Sequence, residues 1–396
     1  MSSEETRIPL SEPSFGGNEW RYLKECLDTN WVSSGGPFVE QFEEKVAQYV
    51  GARHAVATCN GTAALHVAMV VAGIGPDEEV MVPALTFVAP ANAVRYVGAY
   101  PVFIDVDPDH WQMNPQKVKD FLDGECIWKK EFLYNKRTLR RVRAILPVHI
   151  LGHPVDMDPI LEAARRYELI VIEDAAEGLG ATYKDRFAGN CAAIGCLSFN
   201  GNKIVTCGGG GMVVTQNSAW AQRARYLTTQ AKDDSIEYIH QEIGYNYRLT
   251  NLQAAVGLAQ MEQLDRHIER KREIAIRYQE DFRASGFSVF REAPWAKSIY
   301  WLNAITIEAR VMGLDRHRLL TILREKEIET RPLWRPLPQL APFADCDQFR
   351  VEVADQLYRT VLTLPSSVGL TRTDQEIVVA SILQAGKESP VAKKVS

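Results

Sequence analysis

The chain has 396 residues, 46% of them hydrophobic, enough for one large or two medium globular domains with a sizeable core. Its formal net charge is −5 with no long run of like charges, so nothing favours a nucleic-acid partner or a membrane surface. The polar start, Met1 to Ile8, has no apolar signal core, and no window long enough to span a bilayer is continuously apolar.

In chain order, Ala55 to Thr58 reads as a strand and Ala63 to Val71 as a helix. Glu79 to Val82 and Pro101 to Ile104 are further strands, with a helix from Ala89 to Tyr96 between them. Arg143 to Val148 and Leu169 to Glu173 follow, separated by a helix from Asp156 to Tyr167. Cys196 to Phe199 and Met212 to Thr215 read as a closely spaced strand pair. Strands alternating with helices imply a mostly parallel sheet covered on both faces, with sites at the carboxyl ends of its strands.

The texture changes near residue 250. Thr250-Asn251-Leu252-Gln253 fits a capping box, and one long helix is expected from there to about Phe282. Tyr300 to Ile307 reads as a strand, Asp315 to Lys326 as a helix, and Thr373 to Ala385 as a helix with a Thr373…Glu376 box. A Pro-rich loop runs from Arg331 to Pro342. The expected division is a large α/β domain over 1–250, then a linking helix and a smaller α/β domain over 251–396, with a disordered tail after Lys387.

The seven cysteines (Cys26, Cys59, Cys126, Cys191, Cys196, Cys207 and Cys346) are odd in number and form no C-x-x-C pair. No disulfide framework and no metal site are expected, and a reducing, cytoplasmic compartment fits. Cys207 is singled out because it lies close to Lys203.

Three segments can carry chemistry. At Asn60-Gly61-Thr62 a strand ends and a helix opens, which places free N–H groups, a hydroxyl and a positive dipole end at one point. It suits a phosphate, or it is an ordinary capped helix. At Glu173-Asp174-Ala175-Ala176-Glu177 an apolar strand ends in carboxylates separated by small residues. Such a carboxylate can pair with a protonated ring nitrogen, hold a metal or cap the following turn. Lys203 sits between the strand ending at Ser198-Phe199 and the four glycines Gly208 to Gly211. Most lysines are surface solvators, but small and apolar neighbours partly desolvate this one and favour Schiff-base chemistry. The P-loop pattern is absent, and valine stands where G-x-G-x-x-G needs its third glycine. A phosphate cradle, a carboxylate for a ring nitrogen and a lysine amine have one joint explanation, pyridoxal 5′-phosphate (PLP).

At these residues the chain resembles the DegT/DnrJ/StrS nucleotide-sugar aminotransferases, over about Ile8 to Ile382. The resemblance extends to Asn30 to Gly36, Val82 to Phe87, Pro147 to His153 and Gly244 to Arg248. It implies fold type I, the aspartate-aminotransferase-like α/β fold, with a large mixed-sheet domain and a smaller C-terminal α/β domain. It also implies roles. Gly61, Thr62 and Ser198 would hold the cofactor phosphate, Phe87 would stack on the ring, Asp174 would pair with the ring nitrogen and Glu177 would stand near the ring hydroxyl. Lys203 would carry PLP, and pyridoxamine 5′-phosphate would form in the second half-reaction. Asn246 would reach the cofactor of a partner subunit, making an obligate homodimer with shared sites. Trp31, Ser33, Ser34 and Arg331 would face the substrate, and His149 and His153 are expected to be structural.

The implied partners are L-glutamate and a nucleotide-linked 4-keto-6-deoxy sugar. The four-glycine loop, Trp301-Leu302-Asn303 and Arg331-Pro332-Leu333-Trp334 resemble the branch acting on UDP-linked N-acetylhexosamines, of the bacillosamine or legionaminic acid type. Synthases of the GDP-perosamine type and dTDP-sugar aminotransferases are the alternatives. Lysine rather than histidine at 203 argues against a sugar dehydratase on the same fold. Retention of Lys203 and Asp174 argues against a regulatory protein.

Overall fold

The computed structural model describes residues 7–234, 236–283, 285–307 and 313–388. The expected disordered tail, from residue 389 on, lies outside them.

Among the described residues a ten-stranded mixed sheet forms the centre of the molecule. Eight strands run in the order His54–Thr58, Gly211–Thr215, Ile194–Ser198, Ile170–Asp174, Arg141–Ile145, Glu78–Pro83, Tyr100–Ile104 and Gln348–Phe349. Gly211–Thr215 is antiparallel to both neighbours, and the other pairings are parallel. A hairpin, Cys126–Lys129 with Phe132–Asn135, is attached at Arg141. The parallel strands are apolar runs such as Val80-Met81-Val82 and Val102-Phe103-Ile104, buried as strands with helices on both faces must be. Because the strands ending at Thr58, Pro83, Asp174 and Ser198 all run the same way, their carboxyl ends share one edge.

A second, antiparallel sheet joins Ser288–Val289, Asn303–Thr306, Val361–Leu364 and Arg331–Pro332. The helices Arg316–Glu325 and Arg372–Lys387 pack on it around Ile305, Leu319, Leu362 and Val378. Two segments cross between the halves of the chain. Ile8 pairs with Ile328 and joins this smaller core, whereas Gln348–Phe349 adds an edge to the large sheet.

Four expectations need correction. The single helix over 250–282 is two, Asn251–Met261 and Leu264–Asp281. The break coincides with a polar knot in which Gln260 and Gln263 both donate to Glu19 Oε1, at 2.6 and 2.8 Å. The Thr250–Gln253 capping box is present. The last helix starts two residues earlier than expected, capped by Thr371, because Thr371-x-x-Asp374 offers the same chemistry one half-turn upstream of Thr373. The strand expected to Val148 ends at Ile145, since Pro147 has no N–H for the ladder. The strand expected from Tyr300 begins only at Asn303, because Tyr300 turns with φ 47° and delivers Trp301 elsewhere.

Candidate active site

A cavity of about 430 Å³ opens at the shared edge of the large sheet. Its walls include Gly61, Thr62, Phe87, Asp174, Glu177, Ser198, Lys203, Trp301 and Trp334. Larger cavities exist, but this one holds the titratable groups that the sequence singled out.

The first wall is the start of the helix Gly61–Val71. Asn60 caps it in extended conformation, with its side chain accepting from Ala63 N–H at 2.8 Å. That leaves the amides of Gly61 and Thr62 without a hydrogen-bond partner among the described residues, at the positive end of the helix dipole. A Cβ on residue 61 would come 2.9 Å from Ser198 Cβ, so only glycine keeps this hollow open beside the serine.

Asp174 ends its strand as a deeply buried carboxyl, with Oδ1 accepting the Ala176 N–H at 3.0 Å. Oδ2 has no hydrogen-bond partner among the described residues, although the side chain lines the cavity. Burial pushes this carboxyl up to about 6, against the Ala176 bond and Lys203, which hold it down. A buried carboxylate with a free oxygen fits a cationic ring N–H. With the hollow at Gly61, Thr62 and Ser198, it matches the two ends of PLP.

Lys203 enters from a turn in which its own N–H bonds Asn200 O at 2.9 Å. Its Nζ lies 3.2 Å from Glu177 Oε1 and 3.9 Å from the centre of a Trp301 ring. Burial pushes Glu177 up, opposed by Lys203 and by the Leu151 N–H on its other oxygen. Phe87 is 55% exposed at the cavity mouth, a large ring left open on one side.

The remaining candidates lie apart from this cluster. Trp31, Ser33 and Ser34 are exposed, and the Trp31 and Ser33 carbonyls hold Asn251. Asn246 is exposed and bridges to Thr229. Arg331 lines a different cavity, of about 570 Å³, and pairs with Glu329 at 2.6 Å. Cys207 is buried under the helix Asn251–Met261, and burial pushes its thiol up. His149 and His153 are buried. His149 accepts Val155 N–H on Nδ1, so its Nε2–H donates to Glu173 at 2.9 Å. His153 accepts Ala293 N–H on Nε2 and donates from Nδ1 to Pro154 O. The sequence pointed to Trp301 and Trp334 only as parts of motifs. No local pattern ties either to Lys203, since the contact joins segments far apart in the chain.

The chain is similar to known proteins over most of its length. The profile of the DegT/DnrJ/EryC1/StrS aminotransferase family matches residues 13–383. GDP-perosamine synthase of Caulobacter vibrioides is 38% identical over 384 residues, covering 96% of this chain and 99% of that protein. GDP-perosamine synthase of Escherichia coli O157:H7 is 37% identical, with coverage of 95% and 97%. The crystal structure of DesI in the presence of its TDP-sugar product superposes with a TM-score of 0.87 at 27% identity, covering 98% of this chain and 95% of that one. The chain belongs to the DegT/DnrJ/EryC1/StrS aminotransferase family and is a PLP-dependent nucleotide-sugar aminotransferase of fold type I.

Proposed function

We propose that the chain moves the amino group of L-glutamate to the C4 ketone of a nucleotide-linked 4-keto-6-deoxy sugar, and that this sugar is GDP-linked. One observation carries the site reading: a lysine amine held 3.2 Å from Glu177 in a cavity that Asp174, Gly61, Thr62 and Ser198 also line. The choice of nucleotide leans on the two GDP-perosamine synthases, alike over nearly the whole chain. Whole-length identity outweighs the short stretches Gly208 to Gly211, Trp301 to Asn303 and Arg331 to Trp334 on which the UDP-linked N-acetylhexosamine reading rests. That second reading keeps its own support in those three stretches.

In this reading the Gly61 and Thr62 amides and the Ser198 hydroxyl hold the cofactor phosphate. Asp174 would pair with the ring nitrogen, Phe87 would stack on the ring and Glu177 would stand near the ring hydroxyl. PLP supplies an electron sink for the bond broken at the substrate carbon. Lys203 carries the cofactor between turnovers. Once released, its amine takes the proton from the donor Cα and in the second half-reaction returns one to the sugar carbon. Residues 1–250 provide the cofactor site, and 251–396 close it through Trp301 and Trp334.

The reading includes a homodimer with shared sites. Asn246 is exposed within a stretch whose Ile236, Tyr238 and Ile243 are more than two-thirds exposed, as surface awaiting a second copy would be. No helix among the described residues is long and apolar enough to cross a membrane. The seven free cysteines favour the cytoplasm.

The test is a panel of GDP-, UDP- and dTDP-linked 4-keto-6-deoxy sugars with L-glutamate, PLP and the enzyme, with products read by mass spectrometry. Amination confined to the GDP sugar supports the proposal. Turnover of only the UDP-linked N-acetyl sugar returns the assignment to the glycine-loop branch, and no amination of any sugar sinks both.

A further inference from the structure

We propose that Trp301 is a positioning residue for the reaction. Its indole face and Glu177 together form a resting place for the Lys203 amine whenever that amine is not bonded to the cofactor. The inference rests on Lys203 being the cofactor lysine.

A lysine that is released and recaptured in every cycle needs a defined place to wait. Free in a pocket where its side chain is only 13% exposed, the amine would lose water without gaining a partner. The structure supplies two partners on different sides, the Glu177 carboxylate at 3.2 Å and the Trp301 ring at 3.9 Å. A cation over an indole face is stabilised most when water is excluded, and Trp301 is 4% exposed.

An indole lining a pocket could be no more than wall. Here the fold takes on several costs to hold it. Trp301 Nε1–H donates to the carbonyl of Asn202, the residue just before Lys203, at 2.8 Å, so the ring and the lysine backbone are locked in register. The Trp301 carbonyl accepts from Lys271 Nζ at 2.9 Å. Lys271 is fully enclosed, its other bond goes to Ser366 O at 2.7 Å, and burial pushes it down to about 7. Tyr300, immediately before, sits at φ 47°, where a bulky L-residue is rare. On the far side Gly152 packs so closely that a Cβ there would come 2.7 Å from Trp301 N. The turn that includes Gly152 also gives the Leu151 N–H to Glu177. One turn therefore braces both walls of the resting place. A buried lysine, a strained tyrosine and a glycine-only contact converge on Trp301, which simple packing does not require.

The experiment uses the full chain loaded with pyridoxamine 5′-phosphate, in which Lys203 is free. Trace acetic anhydride labels exposed amines, and peptide mass spectrometry reads Lys203 labelling relative to Lys117. Lys117 is similarly covered, at 18% side-chain exposure, but bonded to Asp105, so it reports general loosening. Trp301→Leu, which removes the ring face, is expected to raise the Lys203/Lys117 ratio about fivefold, and Trp301→Phe, which keeps a face, by less than about threefold. Trp301→Met replaces the leucine variant if that one does not fold. A rise below about threefold in the variant without a ring, or equal rises with and without a ring, overturns the proposal. Borohydride fixation of the PLP-loaded chain must place the cofactor on Lys203. Fixation on another lysine would sink the site assignment rather than the role of Trp301.

Discussion

Glu177 joins Lys203 to the Leu151 turn: one carboxylate oxygen meets Lys203 Nζ at 3.2 Å and the other accepts the Leu151 N–H at 2.9 Å. Its charge and its shape can therefore be separated by substitution. Glu177→Gln keeps an acceptor for the amide and removes the charge beside the lysine. Turnover should fall about tenfold or more with little change in the urea midpoint. Glu177→Ala leaves a buried N–H without a partner and should also cost about 1–3 kcal/mol of stability. Steady-state rates and urea titrations on the two variants separate the effects. Equal stability losses would show that Glu177 acts through its charge alone.

Asp174 makes the cofactor-free chain pH-dependent. Its folded value is raised from 3.8 to about 6, so between those values the folded chain holds a proton that the unfolded chain has lost. Stability contributed by the neutral carboxyl is complete below about pH 4, declines as pH rises through 6 and is gone above it, a span of about 3 kcal/mol. Thermal melts of the cofactor-free protein should fall over that window, and Asp174→Asn should flatten the fall. PLP brings a cationic N–H to the carboxylate, so its stabilising effect should be larger at pH 7 than at pH 4.5 in the parent and nearly equal in Asp174→Asn. The same slope in both proteins would remove Asp174 from the cofactor site.

The hollow at the helix start makes a steric prediction. Gly61→Ala places a methyl 2.9 Å from Ser198 Cβ, where the phosphate would bind. PLP affinity, titrated by visible absorption, should weaken about tenfold. The cofactor-free protein should also lose about 1–3 kcal/mol of stability, because Ser198 Cβ is fixed to its strand and cannot swing aside. Unchanged affinity would move the phosphate away from this helix.

Much of this arrangement is legible in the sequence because it is local. Asn60-Gly61-Thr62 announces a helix start, and Asp174 stands where an apolar run stops, so the sequence alone places both at strand ends. Parallel strand direction then brings those ends together. What escaped is non-local. Trp301 was folded into an expected strand because Tyr300 to Ile307 is apolar and β-branched, and nothing in that run signals a positive φ at Tyr300. The break at Glu262–Gln263 has no Gly or Pro to mark it and follows contacts with Glu19, far upstream in the chain.

Glu79 is a liability that no catalytic role explains. It lies on the strand Glu78–Pro83, fully buried, and neither carboxylate oxygen has a hydrogen-bond partner among the described residues. Nearby Asn135 donates instead to Asp347, at 2.8 Å. Burial, aided by the Asp347 charge, pushes Glu79 up from 4.5 to about 7, and the polar side chains of Thr138 and Asn135 only partly oppose this. The folded chain therefore keeps the proton over a window in which the unfolded chain loses it. Stability attached to the neutral form is full below about pH 4.5, is lost as pH rises through 7 and changes no further above that. The total is on the order of 3 kcal/mol. Glu79→Gln keeps the shape without the ionisable proton. It should match the parent near pH 4.5 and exceed it by up to about 3 kcal/mol at pH 8, as read from urea midpoints at the two pH values. A variant no more stable than the parent at pH 8 would mean that water or a shifted side chain solvates this carboxylate.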